Sequence, residues 1–413
     1  MTESGKQTDL DKPVSTRWIT ITVLAVALAS GAGGAPLVGA LRQSVQEQFG
    51  LSFWSAGAGV GIIGLAGGIL GLILTRCIGG VGRGWLFRIG IVLTFLAFLL
   101  YYFIDAHSRY AIPALAGGWL IMSLGRNLSG ISNAIFADLW HRAPQAGLIL
   151  LHATNSIGKV VAPLLALIVG VSLTSNAAVY GIIWLILALS VFTWPRKALE
   201  HLHEVERLQH IESRKTRSVL RTPLFWMVSI QFALIAGSEA GVTSTLPAFI
   251  EQHREPLLGL SARDWSQVVL VTMLLGIVAG RFAAFALSQR ISERGIIKIC
   301  LACMAAVIPA VWLRWSVIYL PCFFILGITF SATWPAFFAL ASRFYSNDKT
   351  ILSVAAGVCT LGGVNGFILL SSFVGNNPDN LPWAVIISVA GMAIFAICLL
   401  LLHTRIRGAT NHT

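Results

Sequence analysis

Long apolar runs separated by short polar segments organise this chain. The first extends from Trp18 to Leu41. The others lie near 53–75, 85–104, 110–138, 147–173, 177–194, 223–250, 265–288, 296–315, 317–342, 351–374 and 382–403, which makes twelve. A helix needs roughly 20 apolar residues to cross the hydrocarbon core of a bilayer. Backbone groups in lipid must also be satisfied within the segment, which a helix does. The pattern therefore predicts an all-α polytopic membrane protein with twelve transmembrane helices. The first run is too long for a signal-peptide core and many spans follow it, so it reads as the first span.

The polar segments set the orientation. Of the 29 Lys and Arg residues, 21 fall in segments on the side of the N-terminus and five on the opposite side. The other three, Arg126, Lys159 and Arg281, lie inside apolar runs. Basic residues mark the cytoplasmic side, so both termini are expected in the cytoplasm, as an even number of spans requires. Composition agrees: 56% of the chain is hydrophobic and 11% charged, against about 25% charged in soluble proteins. This excludes a disordered chain and an ordinary cytosolic enzyme. The net charge of +12 is spread between the runs and reads as topology, so no nucleic-acid partner is expected. The six cysteines lie in or at the ends of apolar runs and read as buried small hydrophobes.

The chain also repeats. Gly50-Leu51-Ser52 with Trp54-Ser55 precedes the second run, and Gly259-Leu260-Ser261 with Trp265-Ser266 precedes the eighth. Each serine can cap a helix. Gly125, Ser129, Ala134, Phe136 and Ala137 recur as Gly327, Ser331, Ala336, Phe338 and Ala339. Two parallel six-helix halves follow, 1–195 and 223–413, joined by a basic segment over 196–222. In that segment Leu199, Leu202, Val205, Leu208 and Ile211 recur among charges, predicting an amphipathic helix on the membrane surface. Its His201, His203 and His210 read as a solvated face, and no metal site is expected. The third, sixth, ninth and twelfth runs are apolar all round and can face lipid. The others carry glycines, prolines and polar residues, among them Gly31, Gly33, Gly34 and Pro36 in the first and Trp334-Pro335 in the tenth. Such irregular backbone is tolerated only against protein or a water-filled cavity.

Several segments carry a resemblance. Gly71 through Arg76 to Gly79-Gly80-Val81-Gly82-Arg83 follows the second run. Asn133-Ala134-Ile135-Phe136-Ala137-Asp138, Leu150-Leu151-His152-Ala153, Gly237-Ser238-Glu239, Gly280-Arg281 and Phe330 through Trp334-Pro335-Ala336 come later. With the two halves and basic centre, these resemble the major facilitator superfamily, and within it the fucose-permease-like branch of sugar:proton symporters. The resemblance implies secondary active transport by alternating access and roles at a cytoplasmic gate for Arg76, Arg83, Asp138 and Arg281. It implies a bacterial cytoplasmic membrane and a protein that works as a monomer without a cofactor. There are departures. Thr75 stands near the place of the loop motif's aspartate, no acid occurs between Asp11 and Glu47, and Ser129 replaces a glutamate of the branch.

Ionisable residues at mid-membrane cost at least about 2.5 kcal/mol on insertion scales and so invite functional readings. Arg126, Ser129 and Asn133 share one helix face by their spacing, as do His152, Asn155 and Lys159. Two cations near one cavity suggest an anionic ligand group, since Arg grips carboxylates bidentately and Lys adds a point charge. Gln231, Thr243, Trp334 and Asn365 are further candidates for the cavity. Glu239 is the one acid expected deep in a span and is the candidate for proton coupling. The competing readings are substrate contact or a permanent ion pair with Arg126 or Lys159. Thr243, one turn on, could bond the neutral carboxyl. The chain has no phosphate-binding loop and no hydrolase motif. The expected function is transport of a small polar solute: a sugar, sugar acid or carboxylate. Drug or metabolite efflux on the same fold is the alternative, and an intramembrane enzyme or membrane receptor is the alternative of another class.

Overall fold

A computed structural model of the chain describes residues 13–77, 83–139, 144–194 and 223–344, apart from 254, 289 and 314, with scattered positions from 377 to 401. The segment 196–222 with its expected surface helix, the eleventh run and Asn365 lie outside the described residues. The described residues form twelve α-helices and no strand. In the first half these are α1 (Pro13–Ala32), α2 (Ala35–Phe49), α3 (Phe53–Cys77), α4 (Arg83–Phe103), α5 (Ala111–Ser129), α6 (Ser132–Leu139), α7 (Pro144–Val169) and α8 (Leu173–Phe192). The second half holds α9 (Pro223–His253), α10 (Ala262–Ser288), α11 (Glu293–Trp312) and α12 (Ser316–Phe344). Helices and spans do not correspond one to one. The first expected span is α1 plus α2, and the fourth is α5 plus α6. Eight stretches of described residues are long and apolar enough to cross a bilayer.

The break in the first span follows from its sequence. Gly34 is extended (φ −88°, ψ −150°), and Pro36 stands in the first turn of α2. Proline has no N–H to continue α1 but is well placed at a helix start. The amides of Leu37 and Val38 then bond the Gly34 carbonyl. The repeated Gly-Leu-Ser segments build the same turn twice. Gly50 and Gly259 have φ of 63° and 69°, the left-handed region where a Cβ is disfavoured. Two residues on, Ser52 Oγ accepts the Ser55 amide and Ser261 Oγ accepts the Asp264 amide, both at 3.1 Å. Each serine thus caps the helix it precedes.

Buried apolar side chains gather into two clusters. One is built from α1, α2, α4 to α8, and the other from α9 to α12 with Val160 of α7. The outward faces are apolar too, as lipid requires. On α8, Ile182, Ile186 and Leu189 form a stripe about 60% exposed, while Tyr180 and Trp184 on the opposite face are fully buried. Cys300, Cys303, Cys322 and Cys398 are free thiols. Cys300 is buried as expected, whereas Cys303 and Cys322 are half-buried and Cys398 is exposed.

The principal packings across the halves, among the described helices, are α2 against α9 and α7 against α10. On α2, Gly39 lies so close to the Thr243 carbonyl of α9 that a Cβ there would collide with it. Beyond this contact, at the end of the bundle remote from Pro13, Arg263 bonds Glu47 at 3.2 Å and pairs with Glu251 at 3.6 Å. Gln43 donates to the same Glu47 at 3.1 Å. These contacts join the two halves at that end.

Candidate functional site

α1 stops at Ala32, and a helix end leaves carbonyls without helical partners. Side chains of three other helices bond carbonyls in and just beyond its last turns. Arg126 of α5 donates through Nη1 to the Gly33 carbonyl (3.2 Å) and through Nη2 to that of Ser30 (3.0 Å). Asn155 of α7 donates to Ala27 O at 2.9 Å. Tyr180 of α8 donates to Ala32 O at 3.4 Å. A cation at a helix C-terminus also complements the helix dipole. Gly31 and Gly158 bring α1 and α7 into backbone contact, since a Cβ at either would strike a carbonyl of the other helix.

Beside this knot lies a cavity of about 360 Å³. Its polar lining includes Arg126, Ser129, Asn133, His152 and Asn155, all from the first half, whereas Ala240 of α9 is the second half's contribution. Ser129 Oγ bonds the Arg126 carbonyl at 3.1 Å, and Asn133 Nδ2 donates to Gly130 O at 3.3 Å. These four short polar side chains and one cation form a surface rich in donors and acceptors.

Next to Ala240, Glu239 accepts from Lys159 Nζ, an ion pair that joins α7 of one half to α9 of the other. The two sequence-selected cations therefore divide their work. Arg126 lines the cavity, while Lys159 is neutralised across the interface. Arg281 lies close enough to act electrostatically on both Glu239 and His152, so it belongs to this cluster as well as to its helix end.

Other candidates sit elsewhere. Thr243 donates its hydroxyl to the Glu239 backbone carbonyl (2.8 Å), one turn back, and not to the carboxyl group as the spacing suggested. A threonine in a helix finds that carbonyl without leaving its rotamer. Gln231 is fully buried in α9. Trp334 packs its ring on Phe232, with centroids 4.8 Å apart. Neither lines the cavity. The side chains of Arg76, Arg83 and Asp138 lie outside the described residues. Sequence reasoning passed over Trp119, Ser123 and Asn127, which also line the cavity. Trp119 and Ser123 donate to Val60 and Gly64 carbonyls of α3 at 2.8 and 2.9 Å. For Trp119 and Ser123 the available signal was the three-and-four spacing that continues backwards from Arg126; Asn127 lies outside that spacing.

A family model described as the Major Facilitator Superfamily matches residues 21–367. The crystal structure of a D-xylose–proton symporter is similar, with a TM-score of 0.70 at 15% identity, covering 92% of this chain and 97% of that one. A nucleoside transporter gives 0.67 at 14%, covering 94% and 99%. The E. coli fucose:proton symporter gives 0.60 at 16%, covering 93% and 98%. No curated protein matches the chain in sequence. The family match over most of the chain and the shared fold lead to one conclusion: the chain belongs to the major facilitator superfamily, and it is a secondary transporter.

Proposed function

We propose that this transporter moves a small polar solute, a sugar, sugar acid or carboxylate, together with protons, in the manner of the fucose-permease-like symporters that it resembles. The observation that carries the reading is the Lys159–Glu239 pair, which ties the two halves together beside the polar cavity. A carboxylate in a desolvated place gains from protonation unless a cation holds it. Proton arrival at Glu239 removes its charge and releases Lys159, so α7 and α9 can part. Loss of the proton restores the pair. The solute sits against the first half: Arg126 has five N–H donors and uses two on α1, and Asn133, Asn155 and Ser129 add amide and hydroxyl groups suited to a polyol.

The membrane is the bacterial cytoplasmic membrane, with both termini inside and the halves 1–195 and 223–413 rocking about the site. Reporter fusions at Arg142 and Lys349 report cytoplasm, and fusions at Asn176 and Asn377 the outside. A thermal-shift screen against sugars, sugar acids and carboxylates identifies the solute, since a ligand at 100 times its Kd stabilises by about 2.7 kcal/mol. The coupling test is Glu239→Gln in proteoliposomes with the solute so found. Accumulation driven by an imposed pH gradient disappears while solute exchange persists. Intact gradient-driven accumulation would overturn the role of Glu239.

A further inference from the structure

Hydrogen bonding in the polar cavity has a direction. A backbone carbonyl oxygen only accepts, so the side-chain atom against it must be the donor. This fixes how the amides of the wall are turned. Asn127 Nδ2 donates to Ser123 O at 2.8 Å, Asn133 Nδ2 to Gly130 O at 3.3 Å and Asn155 Nδ2 to Ala27 O at 2.9 Å. The hydroxyls of Ser123 and Ser129 likewise go to the carbonyls of Gly64 and Arg126, at 2.9 and 3.1 Å. The indole N–H of Trp119 goes to Val60 O at 2.8 Å. All of these side chains line the cavity.

What they leave for a solute is mostly acceptor. Each amide keeps an oxygen with two lone pairs and a single N–H, and each of the two serines keeps lone pairs alone. Ser30, Ser132 and His152 can act either way. Arg126 is the exception. It keeps N–H groups beyond the two that hold α1. Among the described residues no carboxylate pairs with it, and none lines the cavity. The wall thus accepts at many points and presents a cation at one.

Resting on the polar-solute reading above, we infer that the solute is a polyhydroxylated monocarboxylate, a sugar acid, whose carboxylate meets Arg126 and whose hydroxyls donate to the amide and serine oxygens of the wall. The volume of about 360 Å³ falls within the range of small-molecule sites. A neutral sugar leaves the guanidinium without an anion. A plain carboxylate leaves the amide oxygens without donors. A site built to hydrogen-bond a group rejects the analogue that lacks it, because its own polar atoms are then left unpaired.

The test uses the full chain in nanodiscs and isothermal titration calorimetry. The probes are D-glucuronate, D-galacturonate, D-gluconate and D-galactonate, the neutral sugars D-glucose, D-galactose and L-fucose, and hexanoate. At least one sugar acid is expected to bind about tenfold or more tighter than every neutral sugar and than hexanoate. In the tightest acid, replacing single hydroxyls by hydrogen weakens binding about fivefold at two or more positions. Fluorine at those positions accepts but cannot donate, and it weakens binding as much. Arg126→Gln removes the preference for acid over neutral sugar. If that variant does not fold, as judged by gel filtration, Asn133→Asp replaces it. The aspartate keeps oxygens in the wall and adds a like charge, so acid binding falls about tenfold or more while neutral-sugar binding holds. A neutral sugar bound as tightly as the acids overturns the carboxylate and leaves a polar-solute transporter standing. Hexanoate bound as tightly as the acids overturns the hydroxyl contacts. Fluorinated analogues that bind like their parent overturn the accepting wall. Binding of none of the probes overturns the inference and the polar-solute reading together.

Discussion

The first and fourth spans of one half are each split into two helices, but their counterparts in the second half are not. α9 and α12 run unbroken for 31 and 29 residues, although α9 contains Pro247 and α12 contains Pro321 and Pro335. Proline alone therefore does not divide a span here. Division occurs where glycines end a helix and other side chains stand ready to take its carbonyls. Arg126, Asn155 and Tyr180 do this for α1. The consequence is an unequal partnership. Among the described residues, the first half supplies irregular backbone and nearly all of the polar cavity wall, while the second supplies long unbroken helices and the acid that answers Lys159.

The strongest way to probe this partnership is to leave one member of the shared pair uncompensated. Lys159→Gln strands Glu239 and is expected to cost about 3–5 kcal/mol, read as a lowered thermal midpoint of the detergent-purified protein. Adding Glu239→Gln restores most of it. If the single variant is as stable as the parent, the pair does not tie the halves.

Removing the stitch from the split span comes next. Arg126→Ala removes the guanidinium from the Ser30 and Gly33 carbonyls at the end of α1 and is expected to cost about 1.5–3 kcal/mol, the range for hydrogen bonds from a charged group. Its control in the unbroken half is Pro335→Ala, which returns an amide to a helix that is already continuous and is expected not to lower stability. Equal effects would break the contrast between the halves. Asn155→Ala removes one neutral hydrogen bond to the same helix end, and about 1 kcal/mol is expected.

The smallest effect belongs to the distal contacts. Arg263→Ala removes an exposed pair with Glu47 and a second with the more buried Glu251, and the exposed pair is worth about 0.2–1 kcal/mol. Labelling of an Ala248→Cys variant by an impermeant maleimide added at that face rises a few-fold at most. No rise at all would mean that these pairs do not limit access to Ala248.

Much of this was legible in the residues. Apolar runs, their basic flanks and the doubled Gly-Leu-Ser turn depend on local chemistry, and the turn formed twice with the same cap. Gly33, Gly34 and Pro36 marked the first break. What could not be read was the destination of long side chains. The spacing put Arg126 and Lys159 on cavity-facing stripes, but which carbonyl or carboxylate each meets depends on how α1, α7 and α9 come together. Glu239 was left open between coupling, contact and pairing for the same reason. Thr243 was aimed at the wrong oxygen of Glu239, because the carbonyl one turn back was overlooked as the local acceptor.

The Arg263 bridge has a further consequence, in the chemistry of the surrounding medium. Arg263 and Glu47 have side chains 37% and 57% exposed, whereas Lys159 and Glu239 are at 18% and 14%. Dissolved ions screen exposed charges over about 10 Å at 0.1 M and about 3 Å at 1 M, and buried charges far less. Dissolved salt therefore weakens the Arg263–Glu47 pair and spares the central one, so the two ties between the halves would answer differently to ionic strength.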